Sequence, residues 1–345
     1  MTPNVMPTTL QGLVLAAALA ASVTAAPAQE RRYDLRLSSW VPPGHGMNPA
    51  LRQWGESIAT ASNGTIKVTL FPAEQLGPAE SHYDMARGGI AELTFISMSH
   101  QPGRLPIAEG GNLLFLYRDA YTGSRAYDAW YRKYAPAEMK DVKLCFAFIH
   151  DPGTIFSNKE IRRPEDLKGM KIRSANAQTA DFVGDVGGVS VRVSAPEARA
   201  ALESGIAEAI MLPWKSAIVF GIDKVIAHSI DLNLYAGTFA ILMHKATFDR
   251  MSPRQKTVMD EHCSNPWAGV IGKTWGDHEA AGRAELKAKA GHRHYVPSTV
   301  ELEAWKAAGE PARKRWSDAA RKAGIDPDAA LKELDDGIRQ AEGRP

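Results

Sequence analysis

The sequence lacks the motifs that mark most nucleotide-dependent enzymes and hydrolases. Its 345 residues contain no Walker A loop, no GxGxxG loop after a strand and no GxSxG nucleophile elbow. Charge is nearly balanced, with 41 Lys and Arg against 39 Asp and Glu, so no concentrated basic face for nucleic acid is indicated. We therefore predict a protein without a nucleic-acid partner.

Cysteine is also scarce, since only Cys145 and Cys263 occur. Neither belongs to a CxxC pair or a zinc-like cluster. His292 and His294 stand beside lysines and arginines, which is typical of a solvated face, so no metal site is predicted. An oxidising compartment would permit a disulfide between the two cysteines. Both lie in apolar runs, however, and two buried free thiols are the preferred interpretation.

The first 28 residues differ from the rest because they contain no charged side chain. The stretch from Leu10 to Val23 is rich in Ala and Leu, and Ala26-Pro27-Ala28 precedes Gln29. An apolar core followed by a small-x-small site predicts a secretory signal peptide over residues 1–28. A buried N-terminal helix is the alternative. The signal peptide predicts a mature protein that begins near Gln29 and is located in the periplasm.

Strand and helix patterns alternate from residue 33 onward, which predicts an α/β protein. A βαβαβ start indicates a mostly parallel sheet, and an apolar run at 238–244 crosses back to it from a second group of elements. From Ser252 to the end the pattern is helical. We predict one domain from 29–152 plus 243–345 and a second from 153–242, with a ligand cleft between them.

Five segments, in order along the chain, resemble one known family. Residues 161–173 read IRRPEDLKGMKIR. This is similar to the signature of the DctP-type solute-binding proteins of tripartite ATP-independent periplasmic (TRAP) transporters. The other four resemble the family's Pro-x-x-Gln-Leu-Gly turn, the helix and strand after it, an Ala-Leu-x-x-Gly segment and a Met-Asn-Lys return segment. They are FPAEQLG at 71–77, YDMARGGIAE at 83–92, ALESGIAEA at 201–209 and MHKATF at 243–248.

The resemblance implies a two-domain periplasmic binding protein fold with an interdomain cleft, hinge strands and long C-terminal helices. It implies a receptor that closes on a small organic anion and delivers it to the TRAP membrane subunits, without a catalytic step and without a cofactor. We expect a monomer. A periplasmic ligand sensor of the same fold is the first alternative. The second is an exported hydrolase or lyase that uses cleft residues such as His45 and Glu74.

The arginine that ends the family motif is Arg173, and in the family this arginine forms a salt bridge to the ligand carboxylate. A planar guanidinium can hold a carboxylate with two parallel hydrogen bonds. Arg173 ends a predicted strand, and Asn176 stands just before a helix predicted to start near Ala177. The free amides of a helix start also favour an anion. Both side chains are therefore candidates for ligand binding.

The other candidates follow strand ends, which face the ligand crevice in α/β sheets. Trp40 ends the first strand and His45 lies in the next loop, so they are predicted to stack on the ligand and to donate a hydrogen bond. Phe95 and Ser97 end another strand and are predicted to form the cleft floor. Trp214 follows a later strand and is predicted to be a second aromatic wall. A core tryptophan and a turn histidine are the alternative for the first pair.

Two departures from the family pattern bear on the ligand. Many members carry a second arginine upstream of the motif arginine, but residues 151–155 here read DPGTI, and the usual asparagine near Leu212 is missing. One main carboxylate anchor therefore remains. We predict a monocarboxylate with an apolar or aromatic body rather than a dicarboxylate or a sialic-acid-like ligand.

Overall fold

A computed structural model shows the fold of the chain and describes residues 1–3 and 30–344. The predicted signal peptide falls almost entirely outside the described residues. In the part that the structure describes, no helix combines the length and the apolar character needed to cross a membrane.

Strands and helices alternate as the sequence predicts, which confirms the α/β class. The strands are β1 (Tyr33–Ser38), β2 (Ile66–Phe71), β3 (Leu93–Ser97), β4 (Lys143–Ile149), β5 (Thr154–Ser157), β6 (Lys171–Arg173), β7 (Val189–Val191), β8 (Ala209–Leu212), β9 (His228–Ile230), β10 (Thr238–Met243) and β11 (Arg293–Tyr295). The α-helices are α1 (Met47–Ala61), α2 (His82–Gly88), α3 (Ala120–Tyr131), α4 (Ala135–Glu138), α5 (Ala177–Asp185), α6 (Ala198–Glu203), α7 (Trp214–Val219), α8 (Lys245–Asp249), α9 (Pro253–His262), α10 (Asn265–Ala288), α11 (Thr299–Lys322) and α12 (Pro327–Ala341).

The first sheet has the strand order β2-β1-β3-β10-β4. β1 is parallel to both β2 and β3, in agreement with the βαβαβ start. β10 is antiparallel to both of its neighbours, β3 and β4. Every residue of β3 and β10 is buried, which explains their mostly apolar sequences.

The second sheet has the order β11-β9-β5-β8-β6-β7. The chain enters it after β4 and leaves it after β9 to form β10 in the first sheet. β11 comes from the C-terminal part of the chain yet pairs with β9 in this sheet. Both sheets belong to one unit, Arg31–Pro345, so the domain boundaries drawn from the sequence stay a prediction.

The two sheets direct several strand ends toward one space. Each residue in the following set lies within two residues of the end of a strand and lines the same cavity. They are Trp40 after β1, Ser97 in β3, His150 after β4, Arg173 in β6, Leu212 in β8 and Gly237 before β10. The fold therefore gathers residues that are far apart in sequence at one site.

The C-terminal part is helical as predicted except at β11. The Ser252 hydroxyl caps α9 by accepting a hydrogen bond from the Gln255 amide at 3.1 Å. Residues 293–295 were predicted as helix, which is wrong, because the free edge of β9 pairs with them. His292 and His294 contact the hydroxyl of Ser229 at 2.9 and 3.1 Å, so they do not lie on a solvated helix face.

Cys145 and Cys263 form a disulfide bond, so the preferred interpretation of two free thiols is wrong. Cys145 is fully buried in β4, and Cys263 follows directly after α9. The two residues are separated by 118 positions in the sequence. The apolar runs correctly indicate burial, but only the packing of the end of α9 against β4 brings the sulfur atoms together.

Replacing both cysteines, Cys145→Ser with Cys263→Ser, should lower the free energy of unfolding by about 2–5 kcal/mol, because the bond restricts a long loop in the unfolded chain. Urea denaturation with and without reductant measures the effect. Reductant should bring the wild type to the level of the double variant and leave the variant unchanged. Equal stability of the oxidised wild type and the variant would contradict the prediction.

Candidate functional site

Two adjoining cavities lie where the strand ends of both sheets meet. The inner cavity has a volume of about 50 Å³, and five aromatic residues and three histidines are among its lining side chains. The outer cavity has a volume of about 330 Å³, is open to solvent and is lined mainly by polar and charged residues. Arg173, His100, Ser99 and Ala175 line both cavities. The outer volume is in the usual range for small-molecule sites and the inner cavity adjoins it, so together the cavities form a candidate binding cleft.

The structure brings most of the predicted site residues to this cleft. Trp40, His45, Ser97 and Arg173 line the inner cavity. Asn176 lines the outer cavity. Their contact with a ligand stays a prediction.

Phe95 and Trp214 line neither cavity. Phe95 is fully buried and stacks behind Trp40, with the ring centroids 5.3 Å apart, so it supports the wall. The Trp214 ring packs edge-on against Phe156 at 5.4 Å and lies 5.5 Å from the guanidinium of Arg283 in α10. The structure therefore does not form the cavity wall predicted for Trp214, because α7 begins at this residue and its ring packs against neighbouring elements.

Arg173 is the one permanently charged side chain among the described residues that line the inner cavity. It is only 5% exposed, and its Nε and Nη1 donate to the carbonyls of Val193 and Met211, both at 3.0 Å. Burial lowers its pKa, but an arginine remains charged in proteins. Within residues 30–344 no carboxylate pairs with it. A buried cation without a counter-ion favours binding of an anion.

Other buried polar atoms near Arg173 also lack a partner among the described residues. Trp40 Nε1 and His100 Nδ1 form no hydrogen bond within the described part of the chain, and the two rings are 5.8 Å apart. On the outer side, Asn176 caps α5 by accepting from the Thr179 amide at 2.9 Å, which leaves its Nδ2 without a partner. Buried polar atoms are normally satisfied, so these groups are suited to hydrogen-bonding a ligand.

The three histidines that line the inner cavity are neutral near pH 7. Burial lowers the pKa of His45 to about 3 and the pKa values of His100 and His150 to about 4. His150 Nδ1 lies 2.6 Å from the Asp151 carbonyl, and its Nε2 accepts from the Gly237 amide at 2.9 Å. The histidines therefore add hydrogen-bonding groups to the cavity without adding charge.

A buried carboxylate, Glu279 of α10, lies behind the cavity wall. Its Oε1 accepts from the Ser216 hydroxyl at 2.6 Å and from Trp275 Nε1 at 2.8 Å. Its Oε2 accepts from the amides of Lys215 at 2.5 Å and Ser216 at 3.1 Å. Burial raises the pKa of Glu279, and these hydrogen bonds oppose that rise. The close approach of α10 to α7 requires glycine at position 282, where a Cβ would lie 2.3 Å from the Lys215 Cα.

Several aromatic side chains of the inner cavity are not found by the sequence reasoning. Tyr235, Phe239 and Trp275 line it, and the Phe239 and Trp275 rings are 4.8 Å apart. Tyr235 precedes β10 and Trp275 lies within α10, so neither follows the carboxyl end of a strand. Phe239 belongs to the apolar run at 238–244, which is a signal for a strand but not for a site.

Comparison with known proteins points to one family. The family model described as bacterial extracellular solute-binding protein, family 7 (DctP), matches residues 37–319. The match includes the residues of both cavities discussed above.

Three similar proteins illustrate the range of relatives. A TRAP periplasmic solute binding protein from Bordetella bronchiseptica, solved with bound (R)- and (S)-mandelate, is 30% identical, covers 89% of this chain and 99% of its own, and has a TM-score of 0.83. A marine metagenome TRAP solute binding protein specific for aromatic acid ligands, solved with 3-hydroxybenzoate, is 28% identical over 90% and 99% of the chains, with a TM-score of 0.85. The 2,3-diketo-L-gulonate-binding periplasmic protein YiaO of Escherichia coli is 24% identical over 70% of this chain and 74% of its own.

The cavity histidines predict a dependence of stability on pH. The pKa of His100 is about 4 in the folded protein, compared with 6.5 in the unfolded chain. At a pH between these two values the histidine therefore takes up a proton when the protein unfolds. Each such histidine should reduce the free energy of unfolding by up to about 1.4 kcal/mol per pH unit as the pH falls through this range. The variant His100→Gln should therefore lose less stability than the wild type between pH 7 and pH 4.

Urea denaturation of both proteins at a series of pH values measures this difference. Comparing the two proteins removes the contribution of the other titrating groups. Values above pH 7.5 serve as the baseline, since histidine is neutral there in both states. Identical pH dependence in the two proteins would show that the His100 ring is not held neutral.

Proposed function

This chain belongs to the DctP family, family 7 of the bacterial extracellular solute-binding proteins, and from that premise we propose that it captures aromatic monocarboxylates. Its structural relatives are TRAP solute-binding proteins, so the chain is a TRAP solute receptor for small organic acids, a class that works with membrane subunits. Such receptors bind and release their ligand without chemical conversion. The class of ligand is inferred below from the inner cavity.

The observation that carries the proposal is the buried, unpaired guanidinium of Arg173. The Nε hydrogen and one Nη1 hydrogen are donated to protein carbonyls. The second Nη1 hydrogen and both Nη2 hydrogens therefore remain for a ligand. Two N–H groups of one guanidinium match the two oxygens of a carboxylate. Trp40 Nε1, which has no partner in the described residues, offers a further donor on the same wall.

The remaining walls favour an aromatic body and a single carboxylate. Trp40, Trp275, Phe220, Phe239 and Tyr235 line the inner cavity, where Arg173 is the only permanent charge among the described lining residues. Aromatic side chains pack well against another ring. The mandelate and 3-hydroxybenzoate of the two relatives with 30% and 28% identity are aromatic monocarboxylates, which supports the proposal.

The arrangement of polar groups argues against a hydrolase. Ser216 donates its hydroxyl hydrogen to Glu279 rather than to a histidine. His45 uses its Nδ1 to accept from the Met47 amide, so it is not oriented by an acid as a general base would be. Glu74 accepts a hydrogen bond from the Ala79 amide and does not line either cavity. These side chains position loops and helices.

We propose that the ligand closes two domains on each other. With the domain boundaries predicted from the sequence, Trp40 and Ser97 belong to one domain and Arg173 to the other, so a ligand in the inner cavity would touch both. Closure would exclude water and strengthen the ion pair by lowering the local dielectric. The better contacts of the ligand in the closed state would drive the shift.

The cellular setting follows from the same reasoning. We propose that residues 1–28 are a signal peptide removed on export, so that a monomeric mature protein works in the periplasm. This setting also agrees with the disulfide between Cys145 and Cys263, since such bonds persist in oxidising compartments.

A thermal-shift screen of the protein from Gln29 onward against small organic acids tests the ligand class. A ligand present at 100 times its dissociation constant should stabilise the folded state by about 2.7 kcal/mol. Aromatic monocarboxylates should raise the melting temperature.

The Arg173→Ala variant should lose about 2–5 kcal/mol of binding free energy for these acids, measured by calorimetry. The matched control is Arg192→Ala, because Arg192 is exposed and lines only the outer cavity.

The Arg173→Lys variant separates binding from folding, because it keeps a positive charge but cannot form the same set of hydrogen bonds. This variant should also bind the aromatic acids weakly. It should still show a cooperative unfolding transition, as expected of a folded protein. Tight binding of aromatic acids by either Arg173 variant would remove the anchor from the proposal. Stabilisation by dicarboxylates or sugar acids alone would overturn the ligand class.

Trp40 provides a separate prediction. The Trp40→Phe variant keeps an aromatic ring next to Phe95 but removes the Nε1 donor, which is buried without a partner in the described residues. Affinity for aromatic monocarboxylates should fall by about 0.5–1.5 kcal/mol, as for the loss of one hydrogen bond. The stability of the ligand-free protein should stay equal or rise. Calorimetric titration and urea denaturation measure the two quantities, and unchanged affinity would exclude this donor.

A further inference from the structure

The inner cavity contains a second polar group, made of His45 and Ser216, whose hydrogen-bonding directions are fixed by their neighbours. Both side chains line the cavity and are 1% and 2% exposed. The Nδ1 atom of His45 accepts from the Met47 amide at 3.2 Å, so this nitrogen carries no proton. The neutral ring must then carry its hydrogen on Nε2, which makes Nε2 a donor.

The hydroxyl of Ser216 has the opposite character. Ser216 Oγ donates its hydrogen to Glu279 Oε1, and the two oxygens are 2.6 Å apart. Each oxygen of Glu279 already accepts two hydrogen bonds, and three of the four donors are N–H groups that cannot reverse their role. Ser216 Oγ therefore has only lone pairs to offer elsewhere. The distance from His45 Nε2 to Ser216 Oγ is 3.4 Å, a long contact that leaves both atoms able to bind another group.

We infer that His45 and Ser216 bind a hydroxyl group of the ligand, so that hydroxylated aromatic monocarboxylates are preferred over their unsubstituted parents. This inference rests on the proposed function. A hydroxyl can donate to Ser216 Oγ and accept from His45 Nε2 at the same time. A carbonyl cannot donate to the serine, and an ammonium group cannot accept from the histidine. An ionised second carboxylate has no hydrogen to donate to Ser216 Oγ.

The surroundings of His45 separate this group from the carboxylate anchor. Burial is the main cause of the lowered pKa values of all three cavity histidines, and the charge of Arg173 adds to it at His100 and His150 but not at His45. Trp275 lies beside the His45 ring, with the centroids 5.2 Å apart. A ring held against Trp275 can thus carry a carboxylate toward Arg173 and a hydroxyl toward His45. Glu279 is a positioning residue in this arrangement, since it fixes both Trp275 and the Ser216 hydroxyl.

Calorimetric titration with matched acids tests the assignment. The probes are benzoate with its 3-hydroxy, 4-hydroxy and 3-fluoro derivatives, and phenylacetate with the corresponding derivatives. In the wild type the better hydroxylated isomer should bind about tenfold more tightly than the parent, as expected for one or two added hydrogen bonds. The fluoro derivative should bind like the parent, because fluorine adds size but cannot donate a hydrogen bond.

Two variants locate the effect. Ser216→Ala should reduce the affinity ratio between hydroxylated and parent acid to about 1, while the parent acid still binds. Glu279→Gln should also reduce this ratio, because the serine hydroxyl is no longer fixed. Ser174→Ala is the matched control, since Ser174 lines only the outer cavity and should keep the wild-type ratio. A purely structural role of Ser216 or Glu279 would weaken all acids equally and leave the ratio unchanged.

The outcomes distinguish this inference from the proposed function. Equal binding of hydroxylated and parent acids by the wild type overturns the inference but leaves an aromatic monocarboxylate receptor. A hydroxyl preference that persists in Ser216→Ala also overturns it. Failure of all these acids to bind contradicts the proposed function and removes the basis of the inference as well. The fluoro comparison needs only the wild type and remains decisive if a variant does not fold.

Discussion

The guanidinium of Arg173 is buried where two cavities meet, without a carboxylate partner in residues 30–344, and the cleft depends on how this charge is held. Two backbone carbonyls, from Val193 and Met211, solvate it partly and fix its direction. The neighbouring histidines stay neutral and do not compete with it. Had the protein supplied its own carboxylate, the ion pair would be complete and the attraction for an anionic ligand would be lost.

The apolar part of the cleft is rigid because the same rings serve both the core and the cavity. Trp40 stacks on Phe95, and Phe95 in turn packs against Phe148 and Phe239. Trp275 is held by ring contacts and also by the hydrogen bond from its Nε1 to Glu279. A ligand ring would therefore contact side chains that the core already holds in place. Few of these side chains would lose freedom on binding, which favours affinity.

The sequence predicts the parts of the site that depend on local pattern. The family motif places Arg173 at the cleft, and the strand-end rule places Trp40 and Ser97 there, because both signals lie in a few consecutive residues. Their contact with a ligand stays a prediction. Trp275 is not predicted, since a tryptophan on an apolar helix face looks the same whether it faces a core or a cavity. Trp214 is misplaced for the opposite reason: it follows a strand end, but the helix that starts there directs its ring into packing. The disulfide also depends on a long-range contact that local pattern cannot show.

β10 comes late in the sequence, yet the first sheet is complete only when this strand is in place. It lies between β3 and β4, although the chain completes both of these strands well before residue 238. Until β10 has been made, β3 and β4 each have an unpaired edge. Cys145 likewise cannot form its disulfide bond until Cys263 has been made. Contacts over such separations slow folding. The first sheet can therefore be completed only after most of the chain has been made, which would suit the proposed export of the polypeptide before it folds.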